Sequence, residues 1–277
     1  MKAALLQITS GDDPVANLPM VRDLVHAAAA AGAGFVLTPE VTNVVTANRV
    51  RRDDVVQTEA EDITLAGLRD TARSLGIWLA IGSLLIRTGD ADGRVANRSY
   101  LIDPTGGIAA WYDKIHLFDV QVSPTETYRE SAGVRPGNRA VVVDTPFGRV
   151  GLTVCYDLRF PHLHRALAQA GATIILQPAA FSTVTGAAHW EPLLRARAIE
   201  TGCYVLAAAQ TGLHPSGAGE GRRTHGHSMA VSPWGEVLLD AGTACGISYV
   251  DLDPDQVAQA RARIPALDHD RPFESPR

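Results

Sequence analysis

Short apolar runs alternate with amphipathic segments along most of this chain. Apolar, β-branched runs of about four to eight residues predict buried strands, whereas apolar residues spaced three and four apart predict helices. On these criteria strands are predicted at residues 3–8, 34–37, 78–85, 97–102, 140–143, 150–154, 173–176, 204–208, 227–231, 236–239 and 247–252. Helices are predicted at residues 14–31, 59–75, 161–170, 190–200 and 254–263.

Both halves of the chain combine hairpins with strand–helix–strand units, so we expect mixed rather than purely parallel sheets. Composition does not change abruptly at any point, which favours one α/β domain over residues 1–277. From about residue 265 the chain looks irregular, and we expect this extension to wrap a neighbouring subunit. The polar loops at 123–137 and 214–223 are long enough to carry function.

Composition and charge exclude several classes of protein. A net charge of -5 and a pI of about 6.0, with no basic cluster, argue against a nucleic-acid partner. The three cysteines have no C-x-x-C spacing, which favours a reduced, cytoplasmic thiol protein over a disulfide scaffold or zinc site. The first eight residues are too short a stretch for a signal peptide, and no segment is apolar enough for a membrane span.

The best candidate for chemistry is Cys155, which follows the apolar run 150–154 directly. Open α/β sheets place their chemistry at the carboxyl ends of strands, and a helix is predicted shortly after this cysteine. The alternative is a small buried hydrophobic residue, because free cysteines are among the most buried residue types.

Two further residues have side chains that a thiol nucleophile needs. Glu40 ends the second predicted strand, and Lys114 lies among aromatic and apolar residues in a chain whose one other lysine is Lys2. A carboxylate can take the proton of a thiol, and an ammonium can stabilise an oxyanion. Taken singly, Glu40 could be a loop glutamate, and Lys114 could be a buried ion-pair residue.

Three segments resemble the catalytic blocks of the nitrilase superfamily of carbon–nitrogen hydrolases. They are LTPE (37–40), YDKIHLFD (112–119) and GLTVCYDLRFP (151–161), in the order and approximate spacing of that family. The resemblance covers essentially the whole chain. It implies a four-layer αββα sandwich of two mixed sheets flanked by helices, and it implies no metal or organic cofactor.

The resemblance also implies a Glu-Lys-Cys triad. Cys155 is then the nucleophile, Glu40 the general base and Lys114 an oxyanion stabiliser together with the backbone N–H of Tyr156. Glu130 matches a second glutamate that many members place beside the lysine. The implied reaction is hydrolysis of a small non-peptide amide through a thioester.

Further stretches resemble the Nit branch of the superfamily, which includes deaminated-glutathione amidase and omega-amidase. They lie at residues 166–172, 185–190, 194–201, 203–205, 208–210, 226–229 and 233–235. The arginine-rich helix and the Ala-Ala-Gln strand favour the first activity, whereas the segments 118–119 and 128–131 lie nearer the second. We also expect this chain to form a homodimer or higher homo-oligomer.

Both activities act on keto-acid amides that carry carboxylates, so a cationic recognition residue is expected. Arg159 is the first candidate because it follows the nucleophile closely and an arginine fork suits a carboxylate. Arg129 is the second candidate, with a structural salt bridge as its alternative. Phe181 and His189 are expected to line the pocket, although a histidine such as His189 is more often a hydrogen-bonded structural residue than an acid or base.

Three other functions compete with hydrolysis of a small amide. A thiol acyltransferase would share the first half of the reaction but would transfer the acyl group to a nucleophile other than water. A catalytically inactive scaffold should lack part of the triad, and this chain has all three residues. A cysteine protease needs a partnered histidine, and no histidine lies in a block that resembles those enzymes.

Overall fold

The computed structural model describes residues 1–124, 126–217 and 221–274. Its helices are α1 (Pro14–Ala30), α2 (Arg49–Val55), α3 (Ile63–Leu75), α4 (Pro161–Gln169), α5 (Thr183–Thr201) and α6 (Asp255–Arg263). The strands of the first half are β1 (Lys2–Gln7), β2 (Phe35–Leu37), β3 (Trp78–Arg87), β4 (Val95–Ile102), β5 (Ile108–Asp113), β6 (Asp119–Gln121) and β7 (Thr127–Arg129). Those of the second half are β8 (Val141–Thr145), β9 (Gly148–Leu152), β10 (Ile174–Leu176), β11 (Tyr204–Ala207), β12 (Thr211–Leu213), β13 (Arg223–His225), β14 (Met229–Val231), β15 (Val237–Asp240) and β16 (Gly246–Asp251).

Twelve of these strands form two six-stranded mixed sheets, which confirms the expected sheet type. The first sheet has the order β16-β1-β2-β3-β4-β5, and the second has the order β15-β14-β11-β10-β9-β8. The three central strands of each sheet run parallel, and the outer strands are antiparallel. The carboxyl ends of the central strands therefore share one edge in each sheet, where α/β proteins place ligands.

Four layers result because both faces of each sheet are apolar. In β1, Ala3 and Leu5 share a core cluster with Leu152 and Leu206 of the second sheet. The alternate residues of β1 pack instead against α1 and α3. On the far side of the second sheet, α4 and α5 form the outer layer. The αββα sandwich expected from the sequence is confirmed.

Several predicted boundaries were wrong. The helix predicted from residue 59 begins at Ile63, because the Asp62 side chain accepts a hydrogen bond from the Leu65 backbone N–H at 2.7 Å and caps the helix there. The helix predicted from residue 190 begins at Thr183, in a stretch of threonine and glycine whose weak helix propensity tertiary packing overrides. Helix α2, strand β5 and the hairpins β6–β7 and β12–β13 were not predicted.

The irregular extension packs on its own chain. Arg165 of α4 forms an ion pair with Asp270, and its Nη2 donates to the Ala266 carbonyl at 2.9 Å. These contacts tie the segment after α6 to the outer helical layer. In the predicted loop 214–223, His214 is buried, and residues 218–220 lie outside the described residues. Within the described residues, no helix has the length and apolar character to cross a membrane.

Gly82 provides a test of how closely the two sheets approach. A Cβ at Gly82 would lie 2.1 Å from the Thr38 carbonyl oxygen and 2.6 Å from Cβ of Pro178. We expect Gly82→Ala to lower the free energy of unfolding by about 1–3 kcal/mol, because the backbone must move to relieve the overlap. The turn that carries Glu40 should shift with it. Chemical denaturation measures the loss.

The matched control is Gly34→Ala, since a Cβ at Gly34 meets nothing within 4 Å. This variant should lie within about 0.5 kcal/mol of the parent chain. Equal stability of the two variants would contradict the close approach at Gly82.

Candidate active site

Cys155 stands in a sharp turn at the end of β9. Its φ of 50° lies in the left-handed region, which non-glycine residues rarely adopt. Residues held in such strained conformations cluster at functional sites. The Cys155 N–H donates to the Pro178 carbonyl at 2.8 Å, and Gln177 Nε2 donates to the Cys155 carbonyl at 3.0 Å. Both backbone groups are thus fixed by the segment that follows β10.

A short 3-10 helix, Cys155–Arg159, begins at this cysteine. The first N–H groups of a helix have no acceptor within it, so they are available to an anion. Tyr156 belongs to this first turn. Its N–H is therefore a suitable donor to an oxyanion formed beside the sulfur.

Glu40 follows β2 and is almost completely buried. Its Oε2 accepts a hydrogen bond from the Ala180 N–H at 2.7 Å, and its Oε1 accepts one from Asn97 Nδ2 at 2.9 Å. The next residue, Val41, has a φ of 50°, and its N–H donates to Ser83 Oγ at 2.8 Å. A β-branched residue in this conformation is strained, so the surrounding hydrogen bonds hold the turn that aims the carboxylate.

Lys114 follows β5 and is held by two carboxylates. Its Nζ lies 2.9 Å from Oε1 of Glu40, and 3.0 and 2.9 Å from the two carboxylate oxygens of Glu130. Its backbone N–H donates to the Asn97 carbonyl at 2.9 Å. With a side chain only 2% exposed, the ammonium depends on these partners rather than on water.

Glu130 and Asn97 complete this hydrogen-bonded group. Glu130 Oε2 accepts from the Phe118 N–H at 2.6 Å, which fixes its carboxylate beside the lysine. Asn97 Nδ2 donates to Oε1 of both Glu40 and Glu130, at 2.9 and 3.3 Å. The amide therefore spaces the two carboxylates on either side of the ammonium.

Burial and charge together decide the protonation states. Burial raises the pKa of Glu40, but the charge and hydrogen bond of Lys114 outweigh it and leave this pKa below its ordinary value. Burial lowers the pKa of Lys114, whereas Glu130 and Glu40 raise it well above its ordinary value. Burial, and then the Glu40 charge, raise the pKa of the Cys155 thiol. The resting site thus holds a neutral thiol beside an ionised base and an ammonium.

A buried carboxylate connects the lysine segment with the nucleophile turn. Asp157 Oδ2 accepts from the Tyr112 hydroxyl at 2.7 Å and from the Val154 N–H at 2.8 Å. Its Oδ1 accepts from the His116 N–H at 3.1 Å. Burial and the Asp157 charge raise the pKa of Tyr112, so its hydroxyl remains a donor. This network fixes the spacing of two segments that are about forty residues apart in sequence.

The triad opens into a cavity of about 270 Å³, near the lower end of the range for small-molecule sites. Its described walls include Glu40, Lys114, Glu130 and Cys155 together. Apolar side chains line part of the cavity, and four arginines also reach it: Arg49, Arg52, Arg129 and Arg222.

The predicted substrate-binding residues divide into two groups. Phe181 and Arg129 line the cavity, whereas the described lining does not include Tyr156, Arg159 or His189. Arg159 Cζ lies 5.6 Å from the centroid of the Phe181 ring, and its Nη2 lies 3.2 Å from Nδ1 of His189. Roles in binding for these five residues stay predictions.

Sequence reasoning missed Asn97, Ala180 and Arg222. Asn97 carried a usable signal, because asparagine is depleted in strands and this one lies inside a predicted strand. Ala180 contributes only its backbone, and Arg222 lies in a loop with no local pattern. Their positions depend on how the chain folds around the site.

Comparison with known proteins places this arrangement in a family. Residues 2–262 match the family described as carbon-nitrogen hydrolase. The chain belongs to the carbon–nitrogen hydrolase family. It is 40% identical over 269 residues to the deaminated glutathione amidase of Yersinia enterocolitica, covering 97% of this chain and 92% of that protein.

Solved structures of this hydrolase family agree with the fold. The C. elegans NitFhit protein superposes with a TM-score of 0.89 at 36% identity, covering 98% of this chain. The hydrolase spans 65% of that longer chain. An amidase from Nesterenkonia sp. AN1, described with acrylamide added at its active-site cysteine, has a TM-score of 0.78 at 30% identity, with 96% and 98% of the two chains covered. The predicted superfamily, its Nit branch and the amidase class of enzyme are confirmed.

Asp157 offers a test of the network in this hydrolase. We expect Asp157→Asn to lower the free energy of unfolding by about 1–3 kcal/mol, because an amide NH2 would face hydrogen-bond donors in a buried site. It should also lower kcat by loosening the spacing of lysine and thiol. Denaturant unfolding at constant m-value, with steady-state kinetics, measures both.

Asp144→Asn is the matched control, because Asp144 forms an ion pair with Arg149 while its side chain is 81% exposed. Its effect on stability should stay below about 0.5 kcal/mol. If Asp157→Asn were as mild as this control, the network would not set the geometry.

Proposed function

We propose that this hydrolase is an amidase that cleaves the C–N bond of a small carboxylate-bearing amide through a thioester on Cys155. Deaminated glutathione is our first candidate substrate. The supporting observation is the convergence of a thiol, a carboxylate and an ammonium in one cavity, although they come from three distant segments. The alternative substrates are the omega-amides 2-oxoglutaramate and 2-oxosuccinamate.

In the first step, the Cys155 sulfur attacks the amide carbonyl carbon while Glu40 takes the thiol proton. The carbonyl electrons move onto oxygen, and the Lys114 ammonium with the Tyr156 N–H stabilises this oxyanion. Glu40 then gives its proton to the leaving nitrogen. The C–N bond breaks, the amine or ammonia departs, and the acyl group remains on sulfur.

In the second step, water attacks the thioester carbonyl while Glu40 takes a proton from it. A second oxyanion forms at the same donors and collapses with cleavage of the C–S bond. The proton on Glu40 returns to the sulfur as the carboxylic acid leaves. Glu130 holds the ammonium in position through both steps.

The resting charges favour this general-base route over a preformed thiolate. Burial and Glu40 raise the pKa of the Cys155 thiol, so removal of its proton must accompany attack. Glu40 is ionised and lines the same cavity as that thiol. A base in this state, within reach of the nucleophile, is what proton transfer requires.

The preference for a carboxylate-bearing substrate is supported by the arginines that line the cavity. It is also supported by relatives 37–40% identical to this chain that are named deaminated glutathione amidases. Arg129 and Arg159 are proposed to help bind the carboxylate, with Phe181 and His189 near the acyl chain.

We also propose that the chain forms one domain and assembles as a homodimer in the cytoplasm. Exposed apolar side chains on α5 and near β15 support an interface there, among them Ile199 and Trp234. A reducing compartment would keep Cys155 as a thiol.

A paired rate measurement tests the proposed function. The purified enzyme is incubated separately with deaminated glutathione and 2-oxoglutaramate, and the released amine or ammonia is quantified over time. We expect a higher kcat/KM for deaminated glutathione. A preference for 2-oxoglutaramate would favour the omega-amidase alternative. Acyl transfer to an added amine in preference to water would indicate an acyltransferase.

Cys155→Ala should abolish turnover while leaving the fold intact, because no other group can form the acyl intermediate. We expect a loss of at least about 1,000-fold in kcat, with an unchanged unfolding midpoint. Glu40→Gln should leave little or no acyl-enzyme detectable by mass spectrometry. Cys245→Ala is the control, since Cys245 is exposed and outside the cavity. Activity like that of the parent chain in Cys155→Ala would refute the nucleophile.

Lys114→Arg should lose activity severely despite its retained charge. A planar guanidinium cannot occupy the place of an ammonium whose Nζ has carboxylate oxygens at 2.9–3.0 Å in a buried site. We expect kcat to fall by at least about 100-fold. A thermal melt establishes that the variant is folded. A near-normal rate would show that Lys114 is not the oxyanion donor.

A further inference from the structure

The mechanism above gives no role to Arg222, one of the cations that line the cavity. Arg222 lines the cavity with Glu40 and Cys155. Its Nη2 donates to the carbonyl of Ala180, and the N–H of Ala180 donates to Oε2 of Glu40 at 2.7 Å. A single residue therefore connects this guanidinium to the general base, which fixes its distance from the reacting centre.

The Arg222 guanidinium retains unused hydrogen-bonding capacity. Within residues 1–124, 126–217 and 221–274, its Nε is buried without a hydrogen-bond partner, and no carboxylate forms an ion pair with it. Its Cζ lies 5.5 Å from the centroid of the Tyr128 ring. Because arginine keeps its charge in proteins and a buried charge is costly without a counter-ion, this is a place where an anion is stabilised.

The other arginines of the cavity differ from Arg222. Arg52 and Arg49 both form ion pairs with Asp53, and Arg129 is exposed, with its Nη1 donating to the Tyr128 carbonyl at 2.9 Å. Their charge is neutralised by protein or screened by solvent. Arg222 is partly buried, and its charge has no such partner among the described residues.

Among the described residues, Glu40 and Glu130 form ion pairs with Lys114 and not with Arg222. Glu40 and Glu130 are both bound to Lys114, so this group carries one net negative charge. A substrate carboxylate close to them is repelled unless a cation faces it. Arg222 can supply that cation, because it contacts the carbonyl of Ala180 while Glu40 contacts the N–H of the same residue.

We propose that Arg222 is the specificity-determining residue that binds a carboxylate on the acyl part of the substrate. This inference rests on the proposed amidase function and assigns recognition of the acyl carboxylate to one residue. Arg222 and Cys155 line the same cavity, and Ala180 contacts both Arg222 and Glu40, so a carboxylate a few bonds from the scissile carbonyl reaches the guanidinium. The planar guanidinium of Arg222 then holds the substrate with its scissile carbonyl beside the sulfur of Cys155.

A kinetic comparison tests this assignment. Glutaramate and pentanamide have acyl chains of the same length, and one carries a carboxylate where the other ends in a methyl group. We expect Arg222→Gln to lower the glutaramate-to-pentanamide ratio of kcat/KM by about 10- to 100-fold, mainly through KM for glutaramate. Arg223→Gln is the matched control, since Arg223 is the exposed neighbour on β13 and lies outside the cavity. An unchanged ratio in Arg222→Gln would overturn the proposal.

A binding measurement separates this inference from the proposed reaction. Calorimetry with 2-oxoglutarate and the Cys155→Ala variant requires no turnover. Adding Arg222→Gln should weaken binding by about 10- to 100-fold, whereas adding Arg223→Gln should not. If no amide is hydrolysed but binding depends on Arg222, the proposed function fails and this inference stands. If amides are hydrolysed but 2-oxoglutarate binding does not depend on Arg222, the proposed function stands and this inference fails.

Arg222→Lys covers the case in which the glutamine variant does not fold. The lysine keeps the charge but loses the planar fork, so binding of 2-oxoglutarate should weaken by several-fold. Binding as tight as that of the Cys155→Ala parent would refute bidentate recognition, and an absence of any 2-oxoglutarate binding to that parent would refute the site.

Discussion

The ammonium of Lys114, enclosed between the carboxylates of Glu40 and Glu130, is the interaction on which the rest of the site depends. An ammonium removed from water is unfavourable unless its hydrogen bonds are replaced, and here three carboxylate oxygens replace them at 2.9–3.0 Å. The same contact keeps Glu40 ionised although it is buried. One ion cluster thus holds both Glu40, the proposed base, and Lys114, the proposed oxyanion donor.

The two sheets make this cluster possible by bringing strand ends together. Glu40 follows a strand of the first sheet, and Cys155 follows a strand of the second. Both turns contain a residue with a φ of 50°, and such strain persists only where surrounding contacts hold it. Ala180 contacts the base through its N–H and Arg222 through its carbonyl. The backbone at Ala180, which follows β10 of the second sheet, therefore sets the distance between Glu40 and Arg222.

Charge within the cavity separates two tasks. Next to the thiol, a carboxylate is ionised and the sulfur is neutral, so nucleophile activation waits for a carbonyl to attack. Farther along the same wall, a guanidinium has no protein counter-ion among the described residues. An acid with an amide at one end and a carboxylate at the other matches this order of charges. Electrostatic complementarity of this kind selects between substrates more than it adds affinity.

The amino-acid sequence by itself determined the sandwich and indicated Glu40, Lys114 and Cys155 as candidate catalytic residues, because apolar periodicity and short catalytic blocks are local properties. Only the tertiary structure decided where α5 begins, why Asn97 matters and which arginines line the cavity. Arg159 was favoured for its nearness to Cys155 in sequence, whereas Arg222, which follows Cys155 by 67 positions, lines the cavity itself. Burial, and with it the strength of a charge, depends on contacts between distant segments that no local pattern records.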